Sequence, residues 1–362
     1  MKIEAAVLRD PGGLYTIEHV DLADPGPGQI LVRIAGTGFC HTDVLPRVPG
    51  YPAAPPIITG HEGAGVVEAV GPGVSGIAPG AHVVLSFDSC GRCDNCLGGH
   101  PAYCAHMFRL NLTGGRSPVS DEEGKPLAAR WFGQSSFATH SLATARNVVE
   151  VDRDLPLELL GPLGCGIQTG AATVLVALRA RAGSSVVVFG AGGVGLSAVM
   201  AARVAGAATI IAVDLHDNRL DLARELGATA TLPGADPDLV RQIHRLTGGG
   251  GAQYAVETTG SPKVIEKAVD ALRPTGTVAL LGVQSGPLVL PPTALAQGKN
   301  IMGVIEGDAV PQSFIPRLVE LWRQERFPFD RLIRTYPLSA INDAERDSAS
   351  GVTIKPVLLP GS

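Results

Sequence analysis

All six cysteines of this 362-residue chain fall into two patterns that suit a metal ion. Cys90, Cys93, Cys96 and Cys104 form a tight C-x2-C-x2-C-x7-C knot. Four thiolates within fifteen residues can enclose a tetrahedral zinc ion, which makes a structural site. Cys40 and Cys165 stand apart, with Gly60-His61-Glu62 between them in sequence. Two thiolates and one imidazole from distant segments leave a fourth position open to water or substrate, which makes a catalytic site. Each pattern has a plainer alternative. Cysteines pair as disulfides in short secreted chains, and a lone cysteine is as readily a small core residue. The start, MKIEAAVLRD, carries charges and lacks the apolar run of a signal peptide. A reducing cytoplasm is therefore expected, and it favours metal over disulfide.

A second chemistry is written in Val186-Val-Val-Phe-Gly190-Ala-Gly192-Gly193-Val194-Gly195. An apolar run leads into G-x-G-x-x-G, a helical pattern follows, and a second apolar run ends in Asp214, nineteen residues beyond Gly195. Gly190 permits a tight turn, Gly192 lets backbone approach a pyrophosphate, and Gly195 lets helix and strand pack closely. The helix N-terminus adds free N–H groups and partial positive charge. A carboxylate at Asp214 suits two ribose hydroxyls and repels a 2′-phosphate, so NAD is expected over NADP. Arg219, five residues on, is the residue that would meet such a phosphate.

The elements that must position these groups are legible in the texture. The length suggests about two domains. A net charge of −5 and pI near 6.0 leave no electrostatic footprint for nucleic acid, and only Arg92 and Arg109 are cations near the knot. The first 150 residues punctuate short strand-like runs (30–35, 65–70, 82–86) with Pro/Gly turns, as in a β-rich antiparallel domain. From about 175 to 283, short apolar runs (186–189, 210–213, 254–257, 278–281) alternate with helical patterns (194–205, 218–226, 239–247, 263–272). Such alternation implies a parallel sheet with crossover helices. The expected architecture is α/β: a catalytic zinc-binding domain of residues 1–165 and 307–362, with a doubly wound Rossmann domain of residues 166–306 inserted in it.

Zinc and a nicotinamide cofactor together imply alcohol–carbonyl interconversion. The metal lowers the pKa of an alcohol hydroxyl and the carbinol carbon passes hydride to the cofactor. On GFCHTDV (38–44), GHEGAGVVEAVG (60–71), the knot, GCGIQTGAATVL (164–175) and GAGGVG (190–195), the chain resembles the zinc-dependent medium-chain alcohol dehydrogenases over nearly its whole length. The resemblance implies a GroES-like fold for the β-rich domain and a Cys40/His61/Cys165 catalytic zinc, the cysteine–histidine set of alcohol dehydrogenases. It also implies Thr42 as acceptor of the alcohol proton, Asp43 as the carboxylate orienting His61, and Glu62 behind the zinc, able to approach it. His41 and Lys355 match cations near the pyrophosphate, and Thr169, Val194 and Val283 match residues at the nicotinamide.

Within the family, SCGRCDNCLGGHPAYC, FGQSSFATH and EGDAVPQSFIPRLVELW look most like bacterial aryl-alcohol (benzyl-alcohol) dehydrogenases. That implies primary alcohols on an aromatic or similarly flat apolar group. Many members carry a histidine five residues after the first zinc cysteine, ending a proton relay; here the residue is Leu45, so His41 or a water chain must finish it. Phe87, Phe108, Trp131 and Phe132 are candidate pocket walls, and 111–130 reads as a long polar loop overhanging the site. The rival readings are a thiol-dependent formaldehyde dehydrogenase and a non-catalytic zinc- or nucleotide-binding relative. Residues 299–306 read as an apolar edge strand, which predicts a homodimer or homotetramer.

Overall fold

The structure is a computed structural model describing residues 1–113 and 117–361. It divides into two compact units: Met1–Gly166 with Val310–Arg317 and Asp330–Ser362, and Ile167–Ala309 with Leu318–Phe329. Beside the expected division of 1–165 with 307–362 against 166–306, residues 307–309 and Leu318–Phe329 group with the second unit, where Gly307 lies so close to Ala172 and Thr169 that a Cβ would clash.

The first unit is built on a sheet in the order Ile333–Pro337, Lys355–Leu359, Gln29–Gly38, Gly63–Val70, His82–Leu85, Val148–Val151, with His140–Thr144 also paired to Gln29–Gly38. All these pairs are antiparallel except Ile333–Pro337 with Lys355–Leu359. Strand alternation explains the layer beneath: Ile30, Val32 and Ile34 point to one face and bury with Val67, Val83 and Leu85. The same pairing aligns the chemistry. Thr37 sits opposite Gly63, so Cys40 just past one strand end and His61 just before the next are carried side by side.

A second sheet joins Lys2–Leu8, Tyr15–Leu22, Val119–Ser120 and Pro126–Leu127. This corrects the expected loop of 111–130. Its part from Val119 to Leu127 is a hairpin added to Tyr15–Leu22, closed by Asp121, whose Oδ1 accepts from Glu123 N and Lys125 N. Asp121 turned the polar run into a tight turn rather than a flap. Gly114, Gly115 and Arg116, part of that expected loop, lie outside the described residues.

The second unit is a six-stranded parallel sheet. From edge to edge it runs Ala230–Pro233, Thr209–Asp214, Ser185–Phe189, Ala252–Glu257, Leu272–Leu280 and Asn300–Gly303, that is, third, second, first, fourth, fifth and sixth in chain order. This is the doubly wound dinucleotide-binding order, with its switch point beside the first strand. Val186, Val187 and Val188 are fully buried, as strands covered on both faces require. Among the described residues, Asn300–Gly303 lies at the sheet edge, paired only to Leu272–Leu280. Among the described residues no helix is long and apolar enough to cross a membrane.

Candidate active site

Six free cysteines are sorted by the fold into the two groups read from spacing. In the first unit, one ligand atom each from Cys40, His61, Glu62 and Cys165 lie within 4.8 Å of one another. The sulfurs of Cys90, Cys93, Cys96 and Cys104 do the same. Backbone N–H groups aim at the knot: Cys90 N and His106 N donate to Cys104 Sγ at 3.3 Å, and Ala105 N to Cys93 Sγ at 3.5 Å. The Ala105 bond and its neighbours hold the Cys93 thiol down to about 6. Donors on Cys93 favour its thiolate, the form that binds metal, whereas burial and the neighbouring Cys93 push the Cys96 thiol up to about 11.

His61 is oriented by the protein's own hydrogen bonds. Its Nδ1 is 2.7 Å from Asp43 Oδ1, while its Nε2 is buried with no hydrogen-bond partner. A buried imidazole nitrogen without a partner is costly. Facing two cysteine sulfurs, it fits a metal ligand whose other nitrogen is held by a carboxylate. Cys165 beside it, with His61 and Lys355, holds the Cys40 thiol well below its ordinary range although burial opposes this. The donor set of two sulfurs and one imidazole suits zinc.

The surroundings are densely bonded. Asp43 is fully buried, and its Oδ1 also accepts from Gly60 N at 2.9 Å and Trp131 Nε1 at 3.0 Å; Oδ2 accepts from Cys40 N at 3.1 Å. Glu62 accepts from Gly166 N at 3.0 Å and from Lys355 Nζ at 2.9 and 3.0 Å. Only glycine fits at 38, where a Cβ would stand 2.0 Å from Glu62 Oε2. Phe132 stacks on the His61 ring, centroids 4.4 Å apart and planes inclined 24°. Phe132 holds φ 50°, a left-handed backbone that costs a bulky residue about 1–3 kcal/mol. A bond from Trp131 N to Ser135 Oγ at 2.9 Å helps to pin that turn.

In the second unit the fingerprint glycines behave as their spacing implied. Gly190 has φ +92°, a Cβ on Gly195 would meet Gly190 O at 1.8 Å, and a Cβ on Gly192 would meet nothing within 4 Å. That open face at the start of the helix Gly193–Val204 leaves room for a pyrophosphate. A cavity of about 450 Å³ adjoins it, lined among others by Gly190, Gly192, Asp214, Arg219, Thr258 and Lys267. Asp214 Oδ2 accepts from Ala191 N at 2.6 Å and Oδ1 from His216 N at 2.9 Å. Arg219 Nη1 stands 3.9 Å from the same carboxylate.

The remaining expected residues divide. Thr42 is half-buried and His41 exposed on the short helix His41–Arg47 after Cys40. Thr169 and Val194 are half-buried, the Thr169 hydroxyl 3.4 Å from Glu306 Oε2, and Val283 is exposed. Lys355 is buried, and its ammonium bonds Glu62 and, at 3.2 Å, Phe39 O. The Glu62 carboxylate outweighs the desolvation that burial imposes and pushes the Lys355 pKa up. Phe108 is 68% exposed, whereas Phe87, Trp131 and Phe132 are buried in one cluster. The Lys355–Glu62 pair was not foreseen; 293 residues separate its members, and no local pattern joins them.

A metal-ligand cluster in a GroES-like unit and a dinucleotide fingerprint in a Rossmann unit together define a zinc-binding dehydrogenase. Two family profiles match in agreement: alcohol dehydrogenase GroES-like domain over residues 26–153 and zinc-binding dehydrogenase over residues 193–323. The chain belongs to the zinc-binding alcohol dehydrogenase family. It is 46% identical to a geraniol dehydrogenase of Castellaniella defragrans, over 98% of this chain and 97% of that one. Among solved structures it is similar to an alcohol dehydrogenase zinc-binding domain protein from Burkholderia ambifaria (49% identity, TM-score 0.96, 99% of each chain). It is also similar to benzyl alcohol dehydrogenase from Acinetobacter calcoaceticus, at 43% identity and TM-score 0.94 over the whole of both chains.

Proposed function

We propose that this protein oxidises primary alcohols borne on an aromatic or similarly flat unsaturated group to aldehydes, reversibly and with NAD, using two zinc ions per chain. The observation that carries the reading is the buried, unpartnered Nε2 of His61 beside Cys40 and Cys165. Zinc there supplies Lewis acidity toward an alcohol hydroxyl, and NAD supplies the hydride acceptor. Cys40, His61 and Cys165 hold that zinc, and Cys90, Cys93, Cys96 and Cys104 hold the second.

The chain's own groups do the rest. Asp43 fixes the His61 ring and its tautomer. Phe132 covers one face of that ring and, with Trp131, excludes water from it. Thr42 takes the hydroxyl proton, and because Leu45 cannot carry it, His41 or solvent does. Glu62 stays beside the ligand cluster, its charge balanced by Lys355. Asp214 receives the adenosine ribose, and its charge disfavours a 2′-phosphate. The pairing of one edge strand, Asn300–Gly303, with that of a second copy would close the sheet edge and give at least a dimer.

Benzyl alcohol and geraniol share a carbinol carbon attached to an unsaturated carbon, and relatives named for each resemble this chain. The test compares NAD-dependent oxidation of benzyl alcohol, geraniol, cyclohexylmethanol and ethanol by the zinc-loaded protein. Benzyl alcohol is expected to have the highest kcat/KM, with geraniol next and the saturated alcohols far behind. Equal rates on cyclohexylmethanol and benzyl alcohol would refute the substrate class. Strong turnover only of formaldehyde with an added thiol would move the assignment to the rival dehydrogenase.

A further inference from the structure

Asp43 is bonded unevenly. Three donors converge on Oδ1 (His61 Nδ1, Gly60 N, Trp131 Nε1), and one, Cys40 N, reaches Oδ2. A carboxylate oxygen offers roughly two lone-pair directions, so the three donors compete for the charge on Oδ1. Two of the three serve one end, since the Gly60 N–H immediately precedes His61 in the chain. Trp131 comes from another segment altogether, 88 residues from Asp43, and it is fully buried. An indole N–H seeks an acceptor when buried, but a backbone carbonyl would have served. The neighbouring residue adds a second contact to the same pair, for the left-handed turn at Phe132 lays its ring on His61. Two consecutive aromatic side chains thus grip the His61–Asp43 pair, one at the carboxylate and one at the imidazole face.

We infer that Trp131 is a positioning residue for the metal site: by donating to Asp43 Oδ1 it limits the charge that Asp43 lends to His61, and so limits how strongly His61 donates to the metal. This rests on the metal reading above. A merely structural Trp131 would, on removal, loosen the site and speed metal loss. The sharing role makes the opposite demand. Without the indole N–H, the His61–Asp43 bond shortens, the imidazole becomes the stronger ligand, and the metal leaves more slowly.

The test replaces Trp131 by 3-benzothienylalanine, which keeps the bicyclic shape and puts sulfur in place of N–H. Trp131→Phe is made alongside, so that a folding failure of either leaves the other. Among the described residues, His61 is the only histidine in either cysteine cluster, so its ring resonances report this site alone. In the metal-free protein, the His61 Nδ1–H proton is expected to move downfield in the benzothienyl variant. In the zinc-loaded protein, chelator-driven loss of metal, followed by the same ring, is expected to slow by about tenfold, the lower end of what partners of a ligating side chain commonly control. An unmoved proton resonance, or metal loss at the wild-type rate or faster, overturns the inference. Should wild-type protein hold no metal at Cys40, His61 and Cys165, the metal reading falls, and the proton resonance alone decides on Trp131.

Discussion

Replacing Asp43 by Asn separates the charge of this group from its shape. Asn retains one acceptor oxygen. Its better orientation keeps that oxygen toward His61, Gly60 and Trp131 and turns the amide nitrogen toward Cys40 N, 3.1 Å away in the parent. That places donor against donor, and a buried N–H left unsatisfied costs about 1–3 kcal/mol. The three remaining bonds fall from charge-assisted to neutral, about 1 kcal/mol each. Against this, a buried carboxylate no longer has to be desolvated, which offsets several kcal/mol. The net expectation is a loss of about 2–4 kcal/mol in the metal-free protein. Zinc affinity should fall a further 10–100-fold, roughly 1.4–2.8 kcal/mol, because His61 loses its orienting anion. Equilibrium urea unfolding of apo protein measures the first figure, and competition with a zinc-binding dye the second. A variant within about 1 kcal/mol and about threefold of wild type on both scales would refute the reasoning that Asp43 organises the site.

Other expectations are independent of that one. Lys355→Met leaves Glu62 buried without its partner and should cost about 3–5 kcal/mol in urea unfolding, whereas Lys355→Met with Glu62→Leu should recover most of the loss. Cys104→Ala should remove one zinc per chain by metal analysis and lower thermal stability, because Cys104 is the buried member of the knot and receives two of its N–H bonds. Asp214→Ala should raise the KM for NAD and narrow its advantage over NADP. It should also cost about 1–3 kcal/mol of stability, since Ala191 N and His216 N lose a common acceptor.

Much of the α/β unit was legible because periodicity is local. The run 186–189 and the helix 194–205 fall within one residue of Ser185–Phe189 and Gly193–Val204. Ala230–Pro233 is not legible in this way: a four-residue strand holding an alanine and a proline gives little β signal of its own, and its pairing with Thr209–Asp214 defines it. The cysteine groups were legible because thiolate ligands are scarce and their spacing is constrained. What spacing cannot convey is long-range company. Nothing near Lys355 in sequence foretells Glu62, and Trp131 reads as a wall because its N–H partner sits 88 residues away. Phe108 and Phe132 look alike in composition, and only the turn at 131–135 decides which of them reaches His61.

The central claim is that one cysteine group holds the fold while the other holds a zinc that takes part in the reaction. Zinc content and NAD-dependent benzyl alcohol oxidation, measured on the same preparations of wild-type protein and Cys165→Ala, test it most directly. The account predicts two zinc ions per chain and turnover in the wild type, with one zinc, an intact fold and no turnover in the variant. Two retained zinc ions with undiminished turnover in Cys165→Ala would contradict it.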